Sequence, residues 1–167
     1  MKNIFLTGFM GAGKSTVGSL LAGILDYTFI DLDEAIVESE QRSIAEIFAT
    51  EGEHYFRNCE TKLLKGLATD SARVYATGGG IVVREDNRRE MRRLGLIVYL
   101  KTGWRTLEGR LQKSSGRPLV NTENDLTEVK NLWEKRQPFY TDADLTVATD
   151  ELTPWQVAQK IKMELSS

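Results

Sequence analysis

Two reactive residue types are almost missing from this chain, which has one cysteine (Cys59) and one histidine (His54) in 167 residues. A single cysteine forms no internal disulfide, in keeping with a reducing cytoplasm. Cys59 reads as a small buried hydrophobe before it reads as a catalytic thiol. With so few soft ligands a zinc site built on His and Cys is excluded, and any general base is expected to be a carboxylate. Long apolar runs are missing too. None approaches the roughly 18 residues of a membrane span, and Met1-Lys2-Asn3 leads straight into the first apolar run without room for a secretory signal. The expectation is a soluble, unprocessed, cytoplasmic protein with no membrane partner. Nor is there a strong charge of either sign, the formal net charge being −2. The chain as a whole therefore attracts neither nucleic acid nor an anionic membrane, and an anionic ligand must be held by a local cluster of arginines and lysines. Hydrophobic residues at 41% and charged residues at 28% suit one globular domain spanning 1–167.

What the chain does have is Gly8-Phe9-Met10-Gly11-Ala12-Gly13-Lys14-Ser15, the pattern G-x-x-x-x-G-K-[ST] of a phosphate-binding loop. By average residue usage the four fixed positions arise by chance in roughly one chain in two hundred of this length. The context makes accident rarer. Ile4–Thr7 before the loop suits a buried strand, and Val17, Leu20, Leu21, Ile24 and Leu25 after it form one apolar helical stripe. Backbone N–H groups of Gly11, Ala12, Gly13 and their neighbours, freed of side-chain bulk, can point at polyphosphate oxygens, aided by the helix N-terminus. Lys14 would reach the β- and γ-phosphates, and the Ser15 hydroxyl would bind Mg²⁺.

Short apolar runs alternate with longer helical patterns through the rest of the chain. Strands are expected at Phe29-Ile30, Val74–Thr77, Ile97–Leu100 and Leu145–Ala148. Helices are expected at about 33–40, from Ile44 to a stop near Gly52, at 54–68, 86–94, 104–112 and 126–136, and from Pro154 onward, where a first-turn proline is at home. Such alternation argues for a parallel sheet covered on both faces, with ligands outside the carboxyl ends of its strands. The phosphate loop, Asp31/Asp33 and Gly78–Gly80 all fall there.

Asp31 and Asp33 stand two apart, so if the strand persists both carboxylates face one side, one for Mg²⁺ and one for an acceptor hydroxyl. The plainer reading is that Asp33 merely starts a helix. No acidic residue ends the third strand, where glycines stand instead, so Asp31 is the acid available to the metal. Gly78-Gly79-Gly80 reads either as a flexible turn or as bare backbone for a substrate to lie against. Arg57, Arg117 and Arg136 are each ambiguous alone. The run Arg84, Arg88, Arg89, Arg92 and Arg93 is interrupted by acids and reads as a solvated helix face, not as a nucleic-acid surface.

Taken in order, these features resemble the shikimate kinases, small P-loop kinases of the nucleoside-monophosphate-kinase type, across nearly the whole chain. The matching residues are Gly8 to Thr16, then Asp31-Leu32-Asp33, Phe56-Arg57 with Glu60, Gly78-Gly79-Gly80, Arg117-Pro118-Leu119, and Arg136 with Pro138 and Tyr140. The resemblance implies a three-layer α/β P-loop kinase fold with a five-stranded parallel sheet of order 2-3-1-4-5 and a mobile lid. It implies ATP, Mg²⁺ and shikimate as ligands, with phosphorylation of the shikimate 3-hydroxyl on the route to chorismate. Lys14 and the loop amides through Thr16 would hold ATP phosphates, and Ser15 with Asp31 would position Mg²⁺. Asp33 would bind the ring hydroxyl and take its proton. Arg57 and Arg136 would hold the shikimate carboxylate, Glu60 would orient Arg57, and Gly78, Gly79 and Gly80 would cradle the ring. Arg117 would reach the phosphates from a lid at about 113–125, an aperiodic polar stretch, and Arg110 and Pro154 would border the adenine. The acceptor-binding region would span about 33–61, and a monomer is the default. The nearest rivals are another small P-loop kinase, acting on gluconate or a nucleoside monophosphate, and an ATP-binding switch that phosphorylates no metabolite.

Overall fold

The computed structural model describes residues 2–69, 71–113 and 123–166. Its parallel sheet comprises β1 (Asn3–Thr7), β2 (Thr28–Asp31), β3 (Arg73–Ala76), β4 (Gly95–Lys101) and β5 (Leu145–Ala148), in the order β2-β3-β1-β4-β5. This is the expected three-layer architecture and strand order. β1 lies at the centre and is buried at every residue, which is why its apolar run shows no polar alternation. Phe5 pairs in register with Tyr75, and their rings stack with centroids 4.8 Å apart.

The helices are α1 (Lys14–Leu25), α2 (Leu32–Glu40), α3 (Ile44–Lys65), α4 (Glu85–Leu94), α5 (Trp104–Lys113), α6 (Glu123–Thr141) and α7 (Pro154–Leu165). α1 packs beside α7 and against β2 and β3, while α4 packs beside α3 and against β4. Val17 and Leu21 of the expected stripe on α1 are buried, with Leu20, Ile24 and Leu25 packed at the margin of the core. α3 opens with a reciprocal Ser43/Glu46 cap and is interrupted at Gly52, whose φ of 83° and ψ of 175° are not helical. That break stands where the sequence predicts a stop. A separate apolar cluster of Ile36, Ile47 and Phe56 ties α2 to α3, apart from the main core under the sheet. α7 begins with Pro154 behind a Thr153/Gln156 cap, as anticipated.

One helix differs from expectation. α6 does not stop at Arg136 but runs through Pro138 to Thr141. An interior proline costs about 3 kcal/mol through one lost hydrogen bond and a ring clash. Burial beyond it offsets that cost, because Tyr140 is 1% exposed and stacks on Tyr99 with centroids 5.3 Å apart. The expected lid, with Arg117 in it, lies largely outside the described residues. Among the described residues no helix is long and apolar enough to cross a membrane.

Candidate active site

Between β1 and α1 the loop turns through Gly8, Gly11 and Gly13 at φ values of 150°, 80° and 91°, conformations that side-chain-bearing residues rarely adopt. Gly13 immediately precedes α1 and has no side chain to cap it, and the first turn carries no acid. The helix N-terminus is thereby left as a backbone anion site. Lys14 Nζ donates to the carbonyls of Gly8 at 2.7 Å and Phe9 at 3.0 Å, which holds the loop in shape. Ser15 Oγ donates to Asp31 Oδ2 at 2.7 Å.

The two aspartates are brought to the site by a route other than the one expected. The strand does not persist: β2 ends at Asp31, and Asp33 lies in the first turn of α2. Asp31 is the helix cap, its Oδ1 accepting from the backbone N–H groups of Asp33 at 3.0 Å and Glu34 at 3.3 Å. Asp31 thus joins the Ser15 hydroxyl to the start of α2. Asp33 comes to Gly78, where an added Cβ would lie 2.6 Å from Asp33 Oδ1 and 3.0 Å from Glu60 Oε1.

The glycine segment after β3 is the hub of the acceptor end. A Cβ at Gly80 would fall 2.1 Å from Arg57 Nη2, and one at Gly79 would lie 3.6 Å from Arg136 Nη1, from the Gly8 carbonyl and from the Met10 amide. Asp33, Glu60, Arg57 and Arg136 therefore gather around Gly78–Gly80, directly against the phosphate loop. The close contact that excludes a side chain at Gly78 and Gly80 comes from the protein's own charged groups, which adds to the reading of bare backbone for a ligand. Arg136 also sits over the ring of Phe9, its Cζ 5.9 Å from the centroid.

Arg57 is 9% exposed and Glu60 1%. Arg57 Nη1 donates to Glu60 Oε2 at 2.7 Å, and Nη2 donates to Glu53 Oε1 at 3.2 Å. Burial pushes the Glu60 carboxyl up to about 7, against the pull of Arg57. For Arg57, burial works downward, but the charge and hydrogen bond of Glu60, helped by Glu53, raise it on balance. The guanidinium stays charged. Among the described residues, Glu60 Oε1 and Arg136 Nε are buried without a hydrogen-bond partner. Such atoms are costly to bury and suit a site that completes its hydrogen bonds with a ligand.

On the other side of the loop, Arg110 Nη1 donates to the Gly11 carbonyl at 2.9 Å. A cavity of about 280 Å³ opens there, which brings together Gly11, Ala12, Gly13, Thr16, Arg110 and Pro154, all singled out above, and is lined also by Thr149, Leu152 and Val157. Sequence reasoning missed these last three. Thr149 follows directly on β5, so the rule that places ligands at strand ends could have found it. Glu53 was missed as a site neighbour, the i, i+4 spacing of Glu53 and Arg57 being the available clue, and Tyr140, although among the residues that carry the resemblance, was given no role. On α4, Arg89 pairs with Glu85 and Arg93 with Glu90, in keeping with a solvated face of interleaved charges, whereas Arg88 and Arg92 reach Asp142 just beyond α6, and Arg88 is half-buried with a bond to the Val82 carbonyl.

Comparison with known proteins agrees with this geometry. The family model described as shikimate kinase matches residues 10–166. The shikimate kinase of Thermodesulfovibrio yellowstonii is 41% identical over 164 residues, covering 98% of this chain and 95% of that one. That of Persephonella marina is 38% identical over 161 residues, covering 96% and 97%. Among solved structures, shikimate kinase from Acinetobacter baumannii in complex with shikimate superposes with a TM-score of 0.90 at 38% identity, covering 99% of this chain and 94% of that chain. With a family model spanning nearly all of it and full-length relatives at this identity, the chain belongs to the shikimate kinase family.

Proposed function

We propose that the cleft phosphorylates the 3-hydroxyl of shikimate with ATP, giving shikimate 3-phosphate and ADP, through the residues gathered at Gly78–Gly80. The observation that carries this reading is the convergence of Asp33, Arg57, Glu60 and Arg136 on one glycine segment packed against the phosphate loop. Arg57 and Arg136 hold the shikimate carboxylate, since paired planar guanidinium groups suit a carboxylate better than point charges. Glu60 aims Arg57, and the backbone of Gly78, Gly79 and Gly80 lies along the ring. Asp33 accepts the proton of the 3-hydroxyl as that oxygen bonds to the γ-phosphorus and the bond to the β,γ-bridging oxygen breaks. Lys14 and the amides of Gly11 to Thr16 hold the phosphates and meet the charge that builds up on them. Arg110 and Pro154 border the adenine beside Thr149 and Val157, and Arg117 reaches the phosphates from a lid at about 113–125 that keeps water out.

Ser15 and Asp31 fit Mg²⁺. They present two hard oxygens 2.7 Å apart beside the phosphate loop, and among the described residues no three His, Cys, Asp or Glu side chains cluster as a closed metal cage. Mg²⁺ favours such sparse protein ligation, completed by water and substrate phosphates, and contributes positive charge to them. The reading extends to a single domain over 1–167, an acceptor region at about 33–61, and a cytoplasmic monomer, consistent with one cysteine; gel filtration checks the monomer. The central test is ADP release, with and without Mg²⁺, from shikimate, gluconate and nucleoside monophosphates. Turnover with shikimate alone is expected, and only with the metal. Turnover with gluconate or a nucleotide in preference, or ATP binding without transfer to any small acid, overturns it.

A further inference from the structure

Tyr140 has no part in the reaction just described, yet α6 is carried past Pro138 to bury it at the acceptor end. Its ring stacks on Tyr99 at an interplanar angle of 12°. Its Oη donates to the Gly79 carbonyl at 2.5 Å. Arg136, one turn back on α6, lies against the same glycine, its Nη1 3.6 Å from where a Gly79 Cβ would stand. A carbonyl only accepts, so the phenol is the donor in its bond to Gly79. Burial pushes the phenol up to about 12, with Arg136 and Arg57 pulling the other way, so it remains a neutral donor at any working pH.

Arg136 depends on the backbone beside it. Its Nε is buried without a hydrogen-bond partner among the described residues, and the face of Phe9 supports the guanidinium from one side without fixing its rotation in plane. The phenol fixes the carbonyl of the glycine that this guanidinium lies against.

We infer that Tyr140 is a positioning residue for the acceptor: its hydroxyl holds the Gly79 carbonyl in the backbone that Arg136 lies against, and so sets the place of that guanidinium beside the segment that receives the substrate. This rests on the reading above, in which Arg136 holds the substrate's carboxylate. The role is geometric, for Tyr140 itself touches neither the reacting hydroxyl nor the phosphates.

Tyr140→Phe keeps the ring and its stack on Tyr99 and deletes only the hydroxyl. The matched control is Tyr99→Phe, which deletes the hydroxyl of the stacked partner, bonded to Gln137 Oε1 at 3.0 Å and away from the glycine segment. Expected for Tyr140→Phe is a rise of about tenfold in KM for shikimate, the scale of one buried hydrogen bond. KM for ATP and kcat should stay within about twofold, a separation of the two substrates that general loosening does not produce. Tyr99→Phe should leave all three unchanged. Adding Tyr140→Phe to Arg136→Lys should raise KM for shikimate no further than Arg136→Lys alone, because the two act as one unit. An unchanged KM for shikimate in Tyr140→Phe overturns the inference, as does an equal loss of both substrates or a fall in Tm well beyond that of Tyr99→Phe. If Arg136→Lys raises KM for shikimate while Tyr140→Phe does not, the inference fails and the carboxylate clamp stands. If Arg136→Lys leaves KM for shikimate alone, the clamp fails and the inference falls with it.

Discussion

The phosphate end of the cleft comes from one unbroken stretch, Gly8–Thr16, while the acceptor end is assembled from α2, α3, the segment after β3, and α6. The first is made of backbone: left-handed glycines, a helix start, and a lysine folded onto the loop's own carbonyls. The second is made of buried charge, with Glu60 against Arg57 and two glycines kept bare to admit them. A backbone site tolerates many side chains but depends on dihedral angles. A side-chain site depends on the shape and hydrogen-bonding fork of particular groups. The two ends should therefore break in different ways, and substitutions can separate them.

The largest effect is expected from Asp33→Asn, which removes the proton acceptor and leaves the phosphate end whole. kcat should fall on the order of a thousandfold with ATP affinity nearly intact, measured by coupled ADP release and by nucleotide titration; near-normal turnover rules Asp33 out as the base. Next come two glycines that test the comparison directly. At Gly80 a methyl group would displace the Arg57 guanidinium, so Gly80→Ala should raise KM for shikimate on the order of a hundredfold and spare ATP. At Gly13 a methyl group finds space, its nearest neighbour being Arg110 Nη1 at 4.0 Å, but the φ of 91° penalises it. Gly13→Ala should therefore weaken ATP by about tenfold, from a strain of 1–2 kcal/mol, and spare shikimate. If both glycines affect both substrates alike, the two ends are not independent. Arg57→Lys should raise KM for shikimate about ten- to thirtyfold, because an ammonium cannot replace a guanidinium that also holds Glu60 and Glu53; an equal loss of ATP affinity would point to folding damage.

The mildest change in turnover is expected from Glu60→Gln, and it depends on pH. Glu60 sits at about 7 in the folded chain, above its ordinary 4.5. Between those values the folded protein keeps a proton that the unfolded chain has released, so its stability falls as pH rises through that window and levels off above 7. Glu60→Gln should flatten that slope in Tm measured from pH 4.5 to 7.5. It should weaken shikimate chiefly above pH 7, where wild-type Glu60 is ionised against Arg57. A Tm slope that survives the substitution assigns the titration to another group.

The same contrast explains what could be read from the sequence. The phosphate loop, its flanking strand and helix, and the break at Gly52 were legible because neighbouring residues make them. Asp31 and Asp33 were singled out on a strand geometry that ends at Asp31; its own side chain caps the helix that follows, and a spacing rule for strands does not foresee that. The helix expected to end near Arg136 runs on through Pro138 because burial of Tyr140 decides the matter, and that burial is not visible in local pattern. Arg57 and Arg136 could not be told from surface arginines by any local pattern. Only their fit around Gly78–Gly80, or the likeness to a family, distinguishes them. Glu53 joins the site through its ion pair with Arg57, Tyr140 through its bond to the Gly79 carbonyl, and Thr149 through its place at the end of β5.

Asp31 gives one carboxylate oxygen to Ser15, at the start of α1, and the other to the amides that begin α2. On the proposed reading a cation at Oδ2 would leave Oδ1 on those amides, so the element that carries Asp33 would hang from the joint that receives the metal. Loading the nucleotide and aiming the base would then be mechanically linked across a single side chain, and a substitution such as Asp31→Ala, which removes both oxygens, should disturb the two together.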